Sequence, residues 1–167
     1  RKSAESFETP DVAIPTETRT IAGRNIRLAE AGPIDAPLVV LLSPFPESIL
    51  SFTGCWEALT EKCRVIAIDL PGFGASEGDR KDMSPNAQGA HLAAIFDELD
   101  LQNIHLVAPD VGMGAALAYV LNHKHRVKSL VVGHGPGAPG PFKLAFMISL
   151  LARFGFMRFT TGLLGAG

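Results

Sequence analysis

With 167 residues, 47% of them apolar, the chain has the size and composition of one globular domain, which argues against a disordered protein. A formal net charge of −2, with no basic block, excludes an electrostatic nucleic-acid binder. No run of about 18 uncharged apolar residues is available for a membrane span. The nearest, 142–159, is interrupted by Lys143, Arg153, Gly155 and Arg158. Cys55 and Cys63 have neither metal nor redox spacing and read as reduced thiols of a cytoplasmic protein. Arg1 and Lys2 have no apolar stretch behind them, so no signal peptide is read there.

Residues 1–16 are polar and punctuated by proline, an N-terminal arm rather than a core element. Residues 18–21 and 25–30, joined through Gly23, predict a hairpin. Leu38 to Leu42 is a continuous apolar run bounded by prolines, the pattern of a strand buried on both faces. Residues 51–61 place Phe52, Trp56 and Leu59 on one face of a short helix, with Trp56 in the core or in a pocket wall. A second buried strand, 64–69, leads into a loop of glycine-rich composition, Pro71 to Ser76.

Residues 84–99 predict a helix capped by Ser84, with Pro85 at its first position and Ala87, Ala90, Leu92, Ile95, Phe96 and Leu99 on its core face. A strand over 103–108, a helix over 111–123 and a strand over 127–132 follow. Strands alternating with helices predict an α/β fold, a mostly parallel, doubly wound sheet. The core spans 17–137 on this reading, and a Phe-rich segment at 138–167 begins a helical cap.

The most informative stretch is Asn103 to Tyr119, where a strand passes into a small-residue helix with only Asp110 between them. So abrupt a turn puts one side chain at its apex, beside the first N–H groups of the helix. The plainer reading of an Asp ahead of a helix is an N-cap. The strand directly before it, the small residues after it and two upstream loops weigh against that reading. The loops are a strand followed by Ser43-Pro44-Phe45-Pro46 and a strand followed by Asp69-Leu-Pro-Gly-Phe-Gly-Ala-Ser76; a strand running into Gly133-His134 comes after the turn.

In that order, the four elements resemble the α/β-hydrolase superfamily, in particular its epoxide hydrolase and haloalkane dehalogenase branch, over roughly residues 18–160. In that branch the turn often reads G-x-D-x-G; here Ala108 stands at the first position. The oxyanion loop, H-G-x-P in the family, is S-P-F-P here. The resemblance implies that Asp110 is the nucleophile and that the N–H groups of Phe45 and Val111 form the oxyanion hole. Pro44 lacks an N–H, but the implied donor is one residue later. The Phe45–Pro46 bond, in a tight turn, is a candidate cis peptide.

A carboxylate attacking an ester would form an anhydride. Attack on a saturated carbon, in an epoxide or a carbon–halogen bond, forms an ordinary alkyl ester. The expected substrate is therefore small and apolar, in a pocket lined by Phe45, Trp56, His134, Phe142, Phe146 and Met147, with no cofactor and no metal. For His134, a surface loop is the alternative.

The same resemblance implies a general-base His and a second acid after strands beyond residue 167. The subfamily signals are incomplete. Epoxide hydrolases use cap tyrosines, but the only Tyr here is Tyr119. The dehalogenases usually place Trp after the nucleophile, where this chain has Val111. A sheet ending at Val132 would leave an apolar edge. The sequence thus predicts an incomplete α/β-hydrolase sheet, finished by a further segment or a second chain. A non-catalytic protein of this fold, binding an apolar ligand or partner chain, is the alternative.

Two superficial signals have plainer readings. Gly72 to Gly78 is similar to a dinucleotide fingerprint but opens no helix. His123, Lys124, His125 and Arg126 read as cations at a helix C-terminus, His91 and His105 as structural residues, and Asp97, Glu98 and Asp100 as a solvated helix end.

Overall fold

The computed structural model describes residues 13–133 and 135. The arm before Ala13, His134 and the 138–167 segment, with Phe142, Phe146 and Met147, lie outside the described residues.

Six strands form one mixed sheet in the order β1-β2-β4-β3-β5-β6. They are β1 (Thr16–Ile21), β2 (Arg24–Ala31), β3 (Leu38–Leu42), β4 (Arg64–Ile68), β5 (Ile104–Pro109) and β6 (Val127–Gly133). The hairpin β1/β2 turns on Ala22 and Gly23, both at positive φ (50° and 73°), the backbone twist that a two-residue hairpin requires. β2 pairs antiparallel with β4, and the four strands from β4 to β6 are parallel.

Alternate residues of β3 feed two separate cores. Val40 and Leu42 join Ile66, Ile68 and Leu106 beneath two helices, α2 (Pro85–Glu98) and α3 (Val111–His123). Leu41 packs on the other face with Ala29, Val65, Ala67 and Trp56 of α1 (Thr53–Thr60). That explains why the strand carries no polar alternation: neither face meets water.

The helix expected over 51–61 divides into a 3₁₀ turn (Ile49–Phe52) and α1, while keeping Phe52, Trp56 and Leu59 against the core. Trp56, 4% exposed, is a core residue, the first of the two places the sequence allowed it. Its ring is large and apolar, and α1 lays it directly onto β3 and β4.

α2 starts as expected. The Ser84 hydroxyl accepts from the Ala87 N–H at 3.2 Å and Pro85 takes the first position, a cap that typically contributes about 1 kcal/mol. Its core face is rotated from the expected one: Gln88 and Gly89 are buried and Ala90 is exposed. The cause is α3, which crosses so closely that a Cβ on Gly89 would lie 2.7 Å from the Ala118 Cβ.

The chain path places a switch point at β3. From β3 it winds outward to β4, then returns across β3 to β5. In such sheets, crevices open at the carboxyl ends of the strands, where successive crossovers part in opposite directions. Here that place lies between the ends of β3 and β5.

Candidate active site

Asp110 is the single residue between β5 and α3, with φ 49° and ψ −123°. A side chain at positive φ costs about 1–3 kcal/mol and persists only when its surroundings over-determine it. They do so here. The Asp110 N–H donates to the Gly133 carbonyl at 2.9 Å, and its own carbonyl accepts from the Met113 N–H at 3.1 Å. Glycine backbone encloses the turn: a Cβ on Gly135 would sit 2.1 Å from the Asp110 carbonyl oxygen. A Cβ on Gly112 would press on Leu42 at 3.2 Å.

The carboxylate decides between cap and apex. It makes no capping hydrogen bond to its own helix. Instead Oδ2 accepts from the Phe45 N–H at 2.9 Å, across the switch point. An N-cap would have turned the other way. Val111 opens α3, so its N–H belongs to the positive end of the helix dipole, next to the carboxylate.

Phe45 lies in the loop after β3, and its bond to Pro46 is cis, as the sequence suggested. Its ring is half-exposed and meets Phe73 edge-on, with centroids 6.2 Å apart. Met83 lies against the backbone of Gly72, next to Phe73. The Phe45 and Phe73 rings thus put an apolar contact at the carboxyl ends of β3 and β4.

The glycine loop after β4 has a structural purpose that sequence inspection missed. It wraps the carboxylate of Asp69, which is fully buried. Oδ2 accepts from the Ala75 N–H at 2.9 Å and from Arg27 Nε at 2.6 Å, and Oδ1 accepts from the Ile49 N–H at 2.9 Å. Ser76 closes the loop by donating to the Asp69 carbonyl at 2.7 Å while accepting from the Arg27 N–H at 2.9 Å. Gly74, at φ 53°, is required because a Cβ there would lie 2.0 Å from Asp69 Oδ2. The similarity to a dinucleotide fingerprint therefore comes from enclosing the protein's own carboxylate. The spacing of Asp69 to Gly74 and Ser76 was the available signal.

Several other ionisable residues among those described serve the scaffold. Asp82, also buried, meets Arg24 at 3.0 Å and His91 at 2.9 Å. The Asp79 N–H, then His91, then Arg24 hold its carboxyl below the usual carboxylate range. His105 Nδ1 meets Ser129 Oγ at 2.7 Å, and the ring of His123 stacks on Tyr119.

Two carboxylates expected to be solvated have partners. Glu98 accepts from the Ala22 N–H of the hairpin, and Asp97 pairs with Arg126. Each sits at the end of α2, where another element comes within reach. A shallow depression bounded by Ile34, Pro37, Arg64, Asp100, His105 and Lys128 lies at the opposite, amino-end edge of the parallel strands, away from Asp110.

Among the described residues, no helix is long and apolar enough to cross a membrane, and no group of three metal-ligating side chains occurs.

A family model described as the alpha/beta hydrolase fold matches residues 37–163, most of the chain. The chain belongs to the α/β hydrolase family. It is 31% identical over 132 residues to a 2-hydroxy-6-oxononadienedioate/2-hydroxy-6-oxononatrienedioate hydrolase from Escherichia coli, covering 72% of this chain and 44% of that one. An epoxide hydrolase from Vigna radiata superposes with a TM-score of 0.67 at 26% identity, covering 84% of this chain and 46% of the other. A haloalkane dehalogenase loop variant from Bradyrhizobium elkanii gives 0.64 at 27% identity, covering 70% and 39%. This α/β hydrolase chain thus spans less than half the length of these proteins.

Proposed function

We propose that Asp110 is the nucleophile of a hydrolase that forms a covalent alkyl ester with a small apolar substrate bearing an epoxide or a carbon–halogen bond. The observation that carries this reading is the Phe45 N–H to Asp110 Oδ2 hydrogen bond, made where an N-cap bond would otherwise stand. Likeness to epoxide hydrolases and haloalkane dehalogenases supports it.

The hydrogen bond divides the work of the two carboxylate oxygens. Oδ2 is held by Phe45, and Oδ1 attacks the saturated carbon from the side opposite the leaving atom. A C–O ester bond forms as the C–halogen or epoxide C–O bond breaks, and the leaving atom takes the electron pair. Oδ2 is then the ester's carbonyl oxygen and already faces an N–H donor. Water attacks the Asp110 carboxyl carbon, and negative charge develops on Oδ2, where the N–H groups of Phe45 and Val111 stabilise it. Loss of one such donor typically costs about 10²–10³ in rate. Collapse of this intermediate breaks the carboxyl C–Oδ1 bond, releases the alkyl oxygen, protonated, as the alcohol and restores the Asp110 carboxylate.

Water attack needs a general base, which this reading assigns to a histidine on a later strand, oriented by a second acid, as the resemblance implies. An epoxide would also need a proton donor for its oxygen. Tyr119 cannot supply it, because its ring is enclosed between α2 and α3 and burial pushes its hydroxyl pKa up. The Phe45 and Phe73 rings, in contact beside the loop that bonds Asp110, favour a substrate without charge. The Escherichia coli relative's named substrates are dioates. Carboxylate attack on a carbonyl would give an anhydride, so Asp110 disfavours direct transfer of that activity.

A non-catalytic binding protein is the alternative, and the departures at Ser43 and Pro44 in the oxyanion loop are one part of its ground. The loop tolerates both. Ser43 is buried and its Oγ accepts from the Leu70 N–H at 3.2 Å, while the donor lies past Pro44. Single-turnover trapping separates the readings. Incubation with alkyl halides and epoxides should add the alkyl group to the Asp110 peptide, and Asp110→Asn should remove the adduct but leave ligand binding intact.

A further inference from the structure

Phe45 lies in a segment tied at both ends to the last residue of β4 or the two residues after it, whereas β5, which leads into Asp110, adjoins β3 and not β4. At the near end, the Ser43 N–H donates to the Ile68 carbonyl at 3.1 Å and Ser43 Oγ accepts from Leu70. At the far end, the Ile49 N–H donates to Asp69 Oδ1 at 2.9 Å. Only residues 44–48 run between these anchors, so the direction of the Phe45 N–H follows from where they stand. The far anchor is a charged acceptor, immobilised by the Arg27 guanidinium and by the glycine loop wrapped behind it.

We propose that Asp69 is a positioning residue for the active site: its buried carboxylate, clamped by Arg27, holds Ile49 and thereby aims the Phe45 N–H at Asp110. Asp69 bonds Arg27, Ile49 and Ala75 and not Asp110; it acts through the loop. This inference rests on the nucleophile reading for its purpose, but its geometry can be tested without a substrate.

The Asp69→Asn variant breaks this link selectively. An amide has one acceptor oxygen where the carboxylate has two. Facing Arg27 and the Ala75 N–H on one side and the Ile49 N–H on the other, it satisfies more donors by turning its oxygen to Arg27 and Ala75. Its NH₂ then opposes the Ile49 N–H. Ile49→Pro removes the same bond from the donor side, at the first position of a helical turn, where proline is tolerated. Because Ile49 is fully buried, Ile49→Ala, which keeps the N–H, controls for the lost side chain and should leave the Phe45 amide unmoved. Arg27→Lys keeps a cation on the carboxylate and is the conservative control.

The readout is the backbone amide of Phe45 in ¹⁵N-labelled protein. In Asp69→Asn and Ile49→Pro its proton should move upfield and exchange about tenfold faster, consistent with losing a hydrogen bond to a charged acceptor. The amides of Val40, Leu41 and Leu106 should keep their wild-type shifts and exchange rates, and Arg27→Lys should leave Phe45 unchanged. If Asp69→Asn does not give a dispersed spectrum, Ile49→Pro decides. An unmoved Phe45 amide in a folded variant would overturn the proposal. So would a loss of protection spread evenly over the strand amides, the mark of a merely structural residue. Asp110→Asn separates the premises: if Phe45 ignores that change, the Phe45–Asp110 pairing itself fails, whereas indifference to the Asp69 and Ile49 changes alone removes only the positioning role.

Discussion

The Phe45 N–H donates to Asp110 Oδ2 at 2.9 Å, joining residues 65 apart in sequence across the gap between β3 and β5. The bond marks the sheet's switch point and replaces the cap that Asp110 would otherwise supply to α3. It also carries the first expectation. Asp110→Asn preserves the shape of the side chain but removes its nucleophilicity. Covalent capture of an alkyl substrate should fall by about 10³-fold or more, with the far-ultraviolet circular dichroism unchanged. Intact-mass spectrometry in a single turnover measures it.

Gly89→Ala sets two effects against each other. Alanine favours a helix interior by about 1 kcal/mol over glycine. The added Cβ, however, would lie 2.7 Å from the Ala118 Cβ and 3.0 Å from its carbonyl carbon, and backbone cannot swing aside. Overpacking of this kind costs about 1–3 kcal/mol, so packing should win. Urea unfolding should show net destabilisation, and a midpoint at or above wild type would mean that α2 and α3 separate easily.

Asp82 gives the fold an acid-sensitive point. Its carboxyl is held below the usual range by the Asp79 N–H, His91 and Arg24. A depressed carboxyl contributes stability that is present above its unfolded value and is lost as pH falls through its folded value. Asp82→Asn should therefore be less stable than wild type at neutral pH, and the gap should close as pH falls from about 5 to about 2. Urea midpoints at several pH values test this; a gap independent of pH would contradict it.

Arg126 seals the end of α2. Buried, it donates to the Leu101 carbonyl at 3.2 Å and the Phe96 carbonyl at 3.4 Å and pairs with Asp97. Arg126→Met keeps the aliphatic bulk but leaves those carbonyls without their donor. Orphaned buried polar groups cost about 1–3 kcal/mol, so thermal unfolding should begin several degrees earlier.

Much of the fold was legible because it depends on local pattern. The run Leu38 to Leu42 announced a strand buried twice over, and Ser84-Pro85 announced a helix start. The abruptness of Ala108 to Gly112 announced the Asp110 turn, and the resemblance supplied the Phe45 donor. What sequence could not give was the set of contacts between distant segments. Trp56 could belong to core or pocket until α1 was seen to lie on β3 and β4. Gln88 and Gly89 replaced Ala90 on the buried face because α3 crosses there. Asp97 and Glu98 had solvent as their default until Arg126 and the Ala22 turn came within reach. Asp69 stayed hidden for the same reason: its donors come from β2, from the Ile49 turn and from its own loop.

The central claim, that Asp110 attacks a saturated carbon, is tested most directly by mapping the site of alkylation. The protein is treated with a panel of small alkyl halides and epoxides, quenched in acid, digested and sequenced by mass spectrometry. The exposed thiol of Cys55 provides an internal check that each reagent is reactive. The expected result is an ester on the peptide containing Asp110, absent from Asp110→Asn. Alkylation confined to Cys55, with Asp110 unmodified across the whole panel, would contradict it.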